Sequence, residues 1–220
     1  MPRRTHPRKN AAASLEFKTT LARRLWHLRL PAGAQVRVWA IDEHREGLIS
    51  HHRRCRGLRR VRPHAPCRTR YEWGYVATAL ETGGRDEAHC VFLPTVSKEA
   101  GISFLEQIVA ADPTAHHIII QDQAGFPLKA GADPLPPNLH LLPLPPYSPE
   151  LNPVERVGTL IRAATANRAF PTLEAMEAAI ENELRPLWTD PGRVRSLVGG
   201  GWIRSQVNAI SGVKNNLVFN

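Results

Sequence analysis

His117-Ile118-Ile119-Ile120-Gln121-Asp122 is a β-branched run that ends on an acid. Successive strand residues point to opposite faces, so three consecutive isoleucines demand apolar cover on both sides of a sheet, the pattern of an interior strand. Upstream, Ser103 and Glu106 form a capping-box pair ahead of an apolar stretch through Ala110, which predicts a helix beginning near Ser103. Downstream, a Pro/Gly-rich loop leads to a second short strand at Leu139 to Leu144.

Further toward the N-terminus, Val36-Arg37-Val38-Trp39-Ala40-Ile41 reads as a strand closing at Asp42-Glu43, with Gly47 to Ser50 as a second strand. Tyr71 to Leu80 and residues 89–93 supply two more, close enough in sequence to pair as antiparallel hairpins. After the central strands the period changes. Asn152 is placed as an N-cap with Pro153 at the first helical position, predicting a helix to about Ala166. A further helix runs from Thr172 to near Leu184, and a last short one opens at Asp190-Pro191 and breaks at the glycines of 199–201. Strands, helix, strand, short strand and helices in that order predict an α/β fold, a mixed sheet with helices on its faces. Residues 1–34 read as a basic extension carrying one short helix between Leu15 and Leu28, and residues 206–220 as a C-terminal tail.

With 220 residues, of which 42% are hydrophobic and 22% charged, the chain is large enough for one substantial core. It contains no apolar run of the length a membrane span requires. The opening MPRRTHPRKN leads into no apolar signal core, so no secretory peptide is expected. Cys55, Cys67 and Cys90 are an odd set without framework spacing, which points to a reducing compartment. The net charge of +9 is unevenly spread: residues 1–73 hold 18 Lys/Arg against 5 Asp/Glu, whereas residues 74–220 hold 11 against 15. A one-sided positive field favours a polyanion, most simply nucleic acid. Its densest part is residues 51–70, where Arg53, Arg54, Arg56, Arg59, Arg60, Arg62, Arg68 and Arg70 stand without a single acid among them. These are the candidate phosphate contacts.

Three acids stand where predicted elements begin or end. Asp42 and Asp122 close two hydrophobic strands, and Glu155 lies in the first turn of a helix. Neighbouring strands would bring both aspartates to one mouth and the helix start would add the third carboxylate. Three carboxylates in one place repel unless a cation compensates, and Mg²⁺ takes hard oxygen ligands of this kind. Two such ions can activate an attacking water or hydroxyl and stabilise the leaving oxygen of a phosphodiester. A plainer reading stands beside this one: aspartate after a strand is ordinary turn chemistry, and Glu155 with Asn152 would form a reciprocal capping box.

The run LPPYSPELNPVE at 144–155, with IIIQDQAG at 118–125 and VWAIDE at 38–43, resembles the catalytic domain of DDE-type insertion-element transposases related to the mariner group. The resemblance covers roughly residues 36–205 and places the catalytic domain at 35–205. It implies a ribonuclease-H-like fold, with Asp42, Asp122 and Glu155 as the catalytic, metal-holding triad; 32 residues separate the last two. It further implies two Mg²⁺ ions, with Mn²⁺ able to substitute, and cleavage at element ends followed by joining of the freed 3′-hydroxyls to target DNA. The partners implied are double-stranded DNA, further copies of the chain assembled on it, and a separate helix-turn-helix chain in place of the family's N-terminal DNA-reading region. The setting is a bacterial cytoplasm, with association to the nucleoid when DNA is bound. A metal-dependent nuclease without strand transfer and a catalytically defective DNA-binding remnant are the alternatives.

The chain departs from the family pattern in three places. Gln123 follows the second aspartate, Phe126 and Pro127 stand where a histidine is expected, and Gly158 occupies a position commonly held by tryptophan. Loss of that aromatic predicts a loosely packed helix unless something refills the space. His51, His52, Cys55, His64 and Cys67 are metal-ligand types at a spacing that matches no zinc signature. Glu43 faces away from Asp42 by strand alternation, which makes it a poor fourth ligand. Trp73 and Tyr75 are sheet aromatics able to stack on bases.

Overall fold

The computed structural model describes residues 7–216 apart from Arg29, Ala32, Val61, Ala124, Ala130 and Gly200, and the side chains of 210–216 are not described. The outer ends of the basic extension and the tail therefore lie outside the described residues.

Five strands form one sheet: β1 Val36–Gly47, β2 Trp73–Glu81, β3 Ala88–Leu93, β4 His116–Gln121 and β5 Leu139–Pro143, in the order β3-β2-β1-β4-β5. β1 pairs antiparallel with β2 and parallel with β4, while β4 pairs parallel with β5. The sheet is the mixed one expected, with a ribonuclease-H-like layout. The isoleucine run sits next to its centre. Ile118 and Ile120 join Val38, Ala40, Val76 and Leu80 on one face, and Ile119 joins Trp39, Ile41, Ala77 and Ala79 on the other.

The second face is covered by α2 (Lys98–Ala111), which contributes Phe104, Leu105, Ile108 and Val109. This helix starts earlier than the capping box predicts. Ser97 is its N-cap, accepting a hydrogen bond from the Ala100 N–H at 3.1 Å, so Ser103 lies within the helix. The first face carries α3 (Val157–Thr165), α4 (Leu173–Leu184), the short α5 (Pro186–Thr189), α6 (Pro191–Val198) and α7 (Gly201–Asn216). The glycines after Val198 thus end one helix and lead into another. α1 (Ala11–Trp26) packs against α7 and places Phe17, Leu21 and Leu25 in the same core, so the basic extension is docked on the sheet. The boundary expected at 205/206 falls inside α7.

β1 differs most from expectation. It does not close at Asp42-Glu43 with a new strand at 47–50 but runs twelve residues to Gly47. Backbone pairing with β2 continues unbroken from Trp39↔Glu81 to Gly47↔Trp73, and ladder hydrogen bonds do not depend on the polarity of the side chains they carry. Asp42 consequently sits inside a strand, just beyond the point where its parallel pairing with β4 stops at Ala40↔Ile120.

Candidate active site

The parallel register brings Asp42 and Asp122 to the same end of the β1–β4 pairing. Ala40 is level with Ile120, so the next outward step on each strand brings the two aspartates to the same end of the sheet. Glu155 arrives from another direction. It lies in a 3-10 turn, Pro153–Arg156, that precedes α3. Asn152 secures this turn: its amide oxygen accepts from the Val154 N–H at 3.1 Å, and its amide nitrogen donates to the Ile41 carbonyl at 2.8 Å. The second bond is buried and ties the turn to the residue directly before Asp42. The Asn152 oxygen is thus engaged by Val154, while a ring nitrogen of His44 meets the Val154 carbonyl at 3.3 Å.

The three carboxyls act on one another electrostatically. The Asp42 carboxyl is pushed up to about 8, first by burial and then by the charges of Glu155, Asp122 and Glu43. Glu155 is raised by burial and by Asp122, with Arg162 opposing the shift. Among the described residues no three His, Cys, Asp or Glu side chains are gathered closely enough to cage an ion as they stand. The triad is an open, mutually repelling set of carboxylates. Such a donor set, all hard oxygens with a buried ionised form disfavoured by its acidic neighbours, fits a hard divalent cation, because added positive charge relieves the penalty.

Glu43 turns to the opposite face, as alternation requires, and there grips the loop that carries Asp122. Its carboxylate accepts from the Phe126 N–H and lies so close over Gly125 that a β-carbon there would land on it. Burial dominates and lifts Glu43 to about 7. Asp122 Oδ1 holds the same loop from within by accepting from the Gly125 N–H at 3.1 Å. Phe126, in the place of the expected histidine, is a core residue packed on Phe104 and against Gly101 of α2.

Gly158 leaves no void. A β-carbon there would stand 2.9 Å from His44 Cε1 and 3.1 Å from Arg162 Nη1, so these two side chains fill the space assigned to an aromatic ring. The loose packing expected of α3 is not observed; Val157 and Ile161 are fully buried. Restoring tryptophan therefore does harm: Gly158→Trp should lower stability by roughly 1–3 kcal/mol through overpacking, read as a lower midpoint in urea unfolding.

The arginine segment is an irregular exposed arm between β1 and β2, and Arg53, Arg54, Arg56, Arg59, Arg60, Arg62, Arg68 and Arg70 are all exposed. Its root is fastened to the residue pair after α3: Asn167 N–H donates to the His51 carbonyl at 2.8 Å, and its side chain brackets the Arg53 backbone. Arg70 pairs with Glu72. His51, His52, Cys55, His64 and Cys67 are spread along the exposed arm and are not brought together. Trp73 is 43% exposed, with the Arg45 guanidinium stacked 4.3 Å over its ring, and Tyr75 is half-buried.

His44 and Arg162 were not singled out by the sequence reading. Both are recoverable once β1 is known to continue: His44 is two residues from Asp42 on the same strand face, and Arg162 lies two helical turns beyond Glu155.

A five-stranded sheet of this order, with helices on both faces and acids where the pairing of its central parallel strands stops, defines a ribonuclease-H-like fold. The chain belongs to the DDE superfamily endonucleases, whose family profile matches residues 37–177. An uncharacterised protein of Sinorhizobium fredii is 36% identical over 100 residues, which are 44% of this chain and 73% of that protein. The fold is shared with the mariner Mos1 paired-end complex with Mg, at a TM-score of 0.60 and 14% identity over 96% of this chain and 65% of that one. The corresponding complex with Mn gives a TM-score of 0.58 and 16% identity, over 90% and 64% of the two chains. The isolated catalytic domain of the Mos1 mariner transposase gives 0.51 and 14%, over 90% and 96%. The chain thus spans 64–65% of the length of the transposase chains in the Mos1 complexes. No helix among the described residues is long and apolar enough to cross a membrane.

Proposed function

We propose that this chain is a transposase catalytic domain that cuts DNA at the ends of an insertion element and joins the freed 3′-hydroxyls to target DNA. The observation that carries the reading is the placement of Asp42 and Asp122 where the parallel pairing of β1 with β4 stops, with the Glu155 turn tied to β1 through Asn152. Asp42, Asp122 and Glu155 would hold a pair of Mg²⁺ or Mn²⁺ ions, the arrangement that serves in-line phosphoryl displacement. Bound ions supply an activated oxygen nucleophile and charge stabilisation for the leaving oxygen.

The protein's own groups do the positioning. Asn152 locks the Glu155 turn to β1, and Glu43 anchors the loop bearing Asp122. The arginine arm supplies backbone contacts that fix the register of DNA without reading its sequence, so binding falls steeply as salt rises. Joining two element ends requires a second copy of the chain on the same DNA. The working compartment is the bacterial cytoplasm.

The test is nicking of supercoiled plasmid by the purified protein at low salt with Mn²⁺, beside EDTA and Asp122→Ala controls. The expected result is metal-dependent open-circle product that falls by on the order of 100-fold or more in Asp122→Ala. Nicking that survives the substitution removes the triad from the mechanism. Nicking without joined products in the presence of element ends selects a nuclease, and a folded, DNA-bound protein that never nicks is a defective remnant.

A further inference from the structure

β4 opens with two adjacent histidines that alternate onto opposite faces of the sheet, and their surroundings differ. His117 is fully buried and both of its ring nitrogens are committed. One accepts from the Trp39 indole N–H at 3.1 Å, and the other donates to the Asp112 carbonyl at 2.9 Å. His116 shares its face with Ile118, which is level with His140 on the edge strand β5. That diagonal brings His116 Nδ1 to 3.2 Å from His140 Nε2. Among the described residues each ring has only the other as its side-chain hydrogen-bond partner, and both rings are half-buried at the sheet edge.

The spacing suits two ligands of one metal ion. Two zinc–imidazole bonds of about 2.0–2.1 Å, opened to between a right angle and the tetrahedral angle, set their nitrogens about 2.9–3.4 Å apart. A hydrogen bond between two neutral rings occupies the same gap with one proton and one lone pair. Moving that proton to the outer nitrogen of its own ring leaves two lone pairs at the gap and releases no proton. The last torsion of a histidine side chain is broad, so both lone pairs can turn toward one ion. Burial and the neighbouring His116 hold His140 below the ordinary histidine range, in the neutral form that ligates metal. Asp122 follows the opposite end of β4, and its carboxylate is a hard donor suited to Mg²⁺ or Mn²⁺, whereas imidazole suits Zn²⁺, Ni²⁺ and Cu²⁺.

We infer that His116 and His140 form a second metal site, for one borderline divalent cation such as Zn²⁺, which pins the edge strand β5 to β4. No third His, Cys, Asp or Glu gathers with them among the described residues, so water completes the coordination. The site needs neither DNA nor the acidic triad, and it stands independently of the proposed function.

The experiment titrates Zn²⁺ into the full chain at neutral pH with excess Mg²⁺ present. Cys55→Ser and Cys67→Ser are introduced throughout to remove the two exposed thiols, which would compete for zinc. Zn²⁺ at roughly 100 times its dissociation constant should raise the melting temperature of this parent by about 5–10 °C. His116→Gln and His140→Gln should each weaken Zn²⁺ binding about tenfold or more and abolish that rise. Their melting curves without metal report that each variant is folded. A parent whose melting temperature Zn²⁺ does not raise overturns the inference. Equal Zn²⁺ affinity in the parent and both variants also overturns it, and places the binding on the histidines of the arginine arm.

Discussion

Asp42→Asn is expected to stabilise the metal-free protein at alkaline pH while abolishing nicking. The folded pKa of Asp42 stands near 8 against an ordinary value of 3.8, chiefly through burial and then through Glu155, Asp122 and Glu43. A carboxyl whose folded pKa is raised binds more protons folded than unfolded. Its contribution to stability is therefore fully present below about pH 4 and is lost as pH rises through about 8. Above that range the folded chain must carry a buried carboxylate facing other acids. A neutral amide of the same shape avoids this and, after discounting for solvent at a half-buried site, gains about 2–4 kcal/mol at pH 9, or roughly 5–10 °C in melting temperature. Adding Mn²⁺ should reverse the ranking. It should raise the wild-type melting temperature more at pH 8.5 than at pH 5.5, because ionised ligands are what it binds, and should leave Asp42→Asn unmoved. Melting curves at the two pH values, with and without Mn²⁺, check both halves. A wild type with no metal response at either pH would exclude the triad as a cation site.

Arg37→Met is expected to lose about 3–5 kcal/mol of stability. Arg37 lies on β1 with its side chain 2% exposed, bonded to Glu81 at 2.9 Å and Glu87 at 2.7 Å, and its guanidinium stacks 4.6 Å from the Trp39 ring. Asp112 stands 3.6 Å from the same group. Glu81 is only 1% exposed, so removing the cation leaves a buried carboxylate without its partner. The loss comes from the orphaned charge and not from the pair's own strength. The double change Arg37→Met/Glu81→Leu should accordingly recover most of it. Urea unfolding of the two variants decides the matter: if the double variant is no more stable than the single one, the orphaned charge is not the cause.

The isoleucine run at 118–120 was sufficient to announce a two-sided interior strand, because its pattern follows from side-chain alternation alone. The proline and asparagine of LNPVE likewise marked a helix entry near Glu155, and the entry is a 3-10 turn leading into α3. Where local signals competed, the choice was made elsewhere. The capping box placed the helix start near Ser103, whereas the start at Lys98 goes with Gly101 lying against Phe126, a contact that no local pattern encodes. The polar residues 42–46 read as a strand's end, yet β2 holds them in the ladder through backbone bonds that no side-chain pattern reports.

The amino-acid sequence by itself determined the class of fold, the three acids and the basic arm, since these depend on periodicity, on motif and on charge counted along the chain. Tertiary structure alone decided that Asp42 and Asp122 come to the same end of the β1–β4 pairing, because strand register is a long-range pairing, and that Asn152 ties the turn of Glu155 to β1. It also decided what fills the space beside Gly158. His44 is 114 positions away in the chain, and a close packing between such distant residues is set by how whole elements meet, not by the sequence around either one.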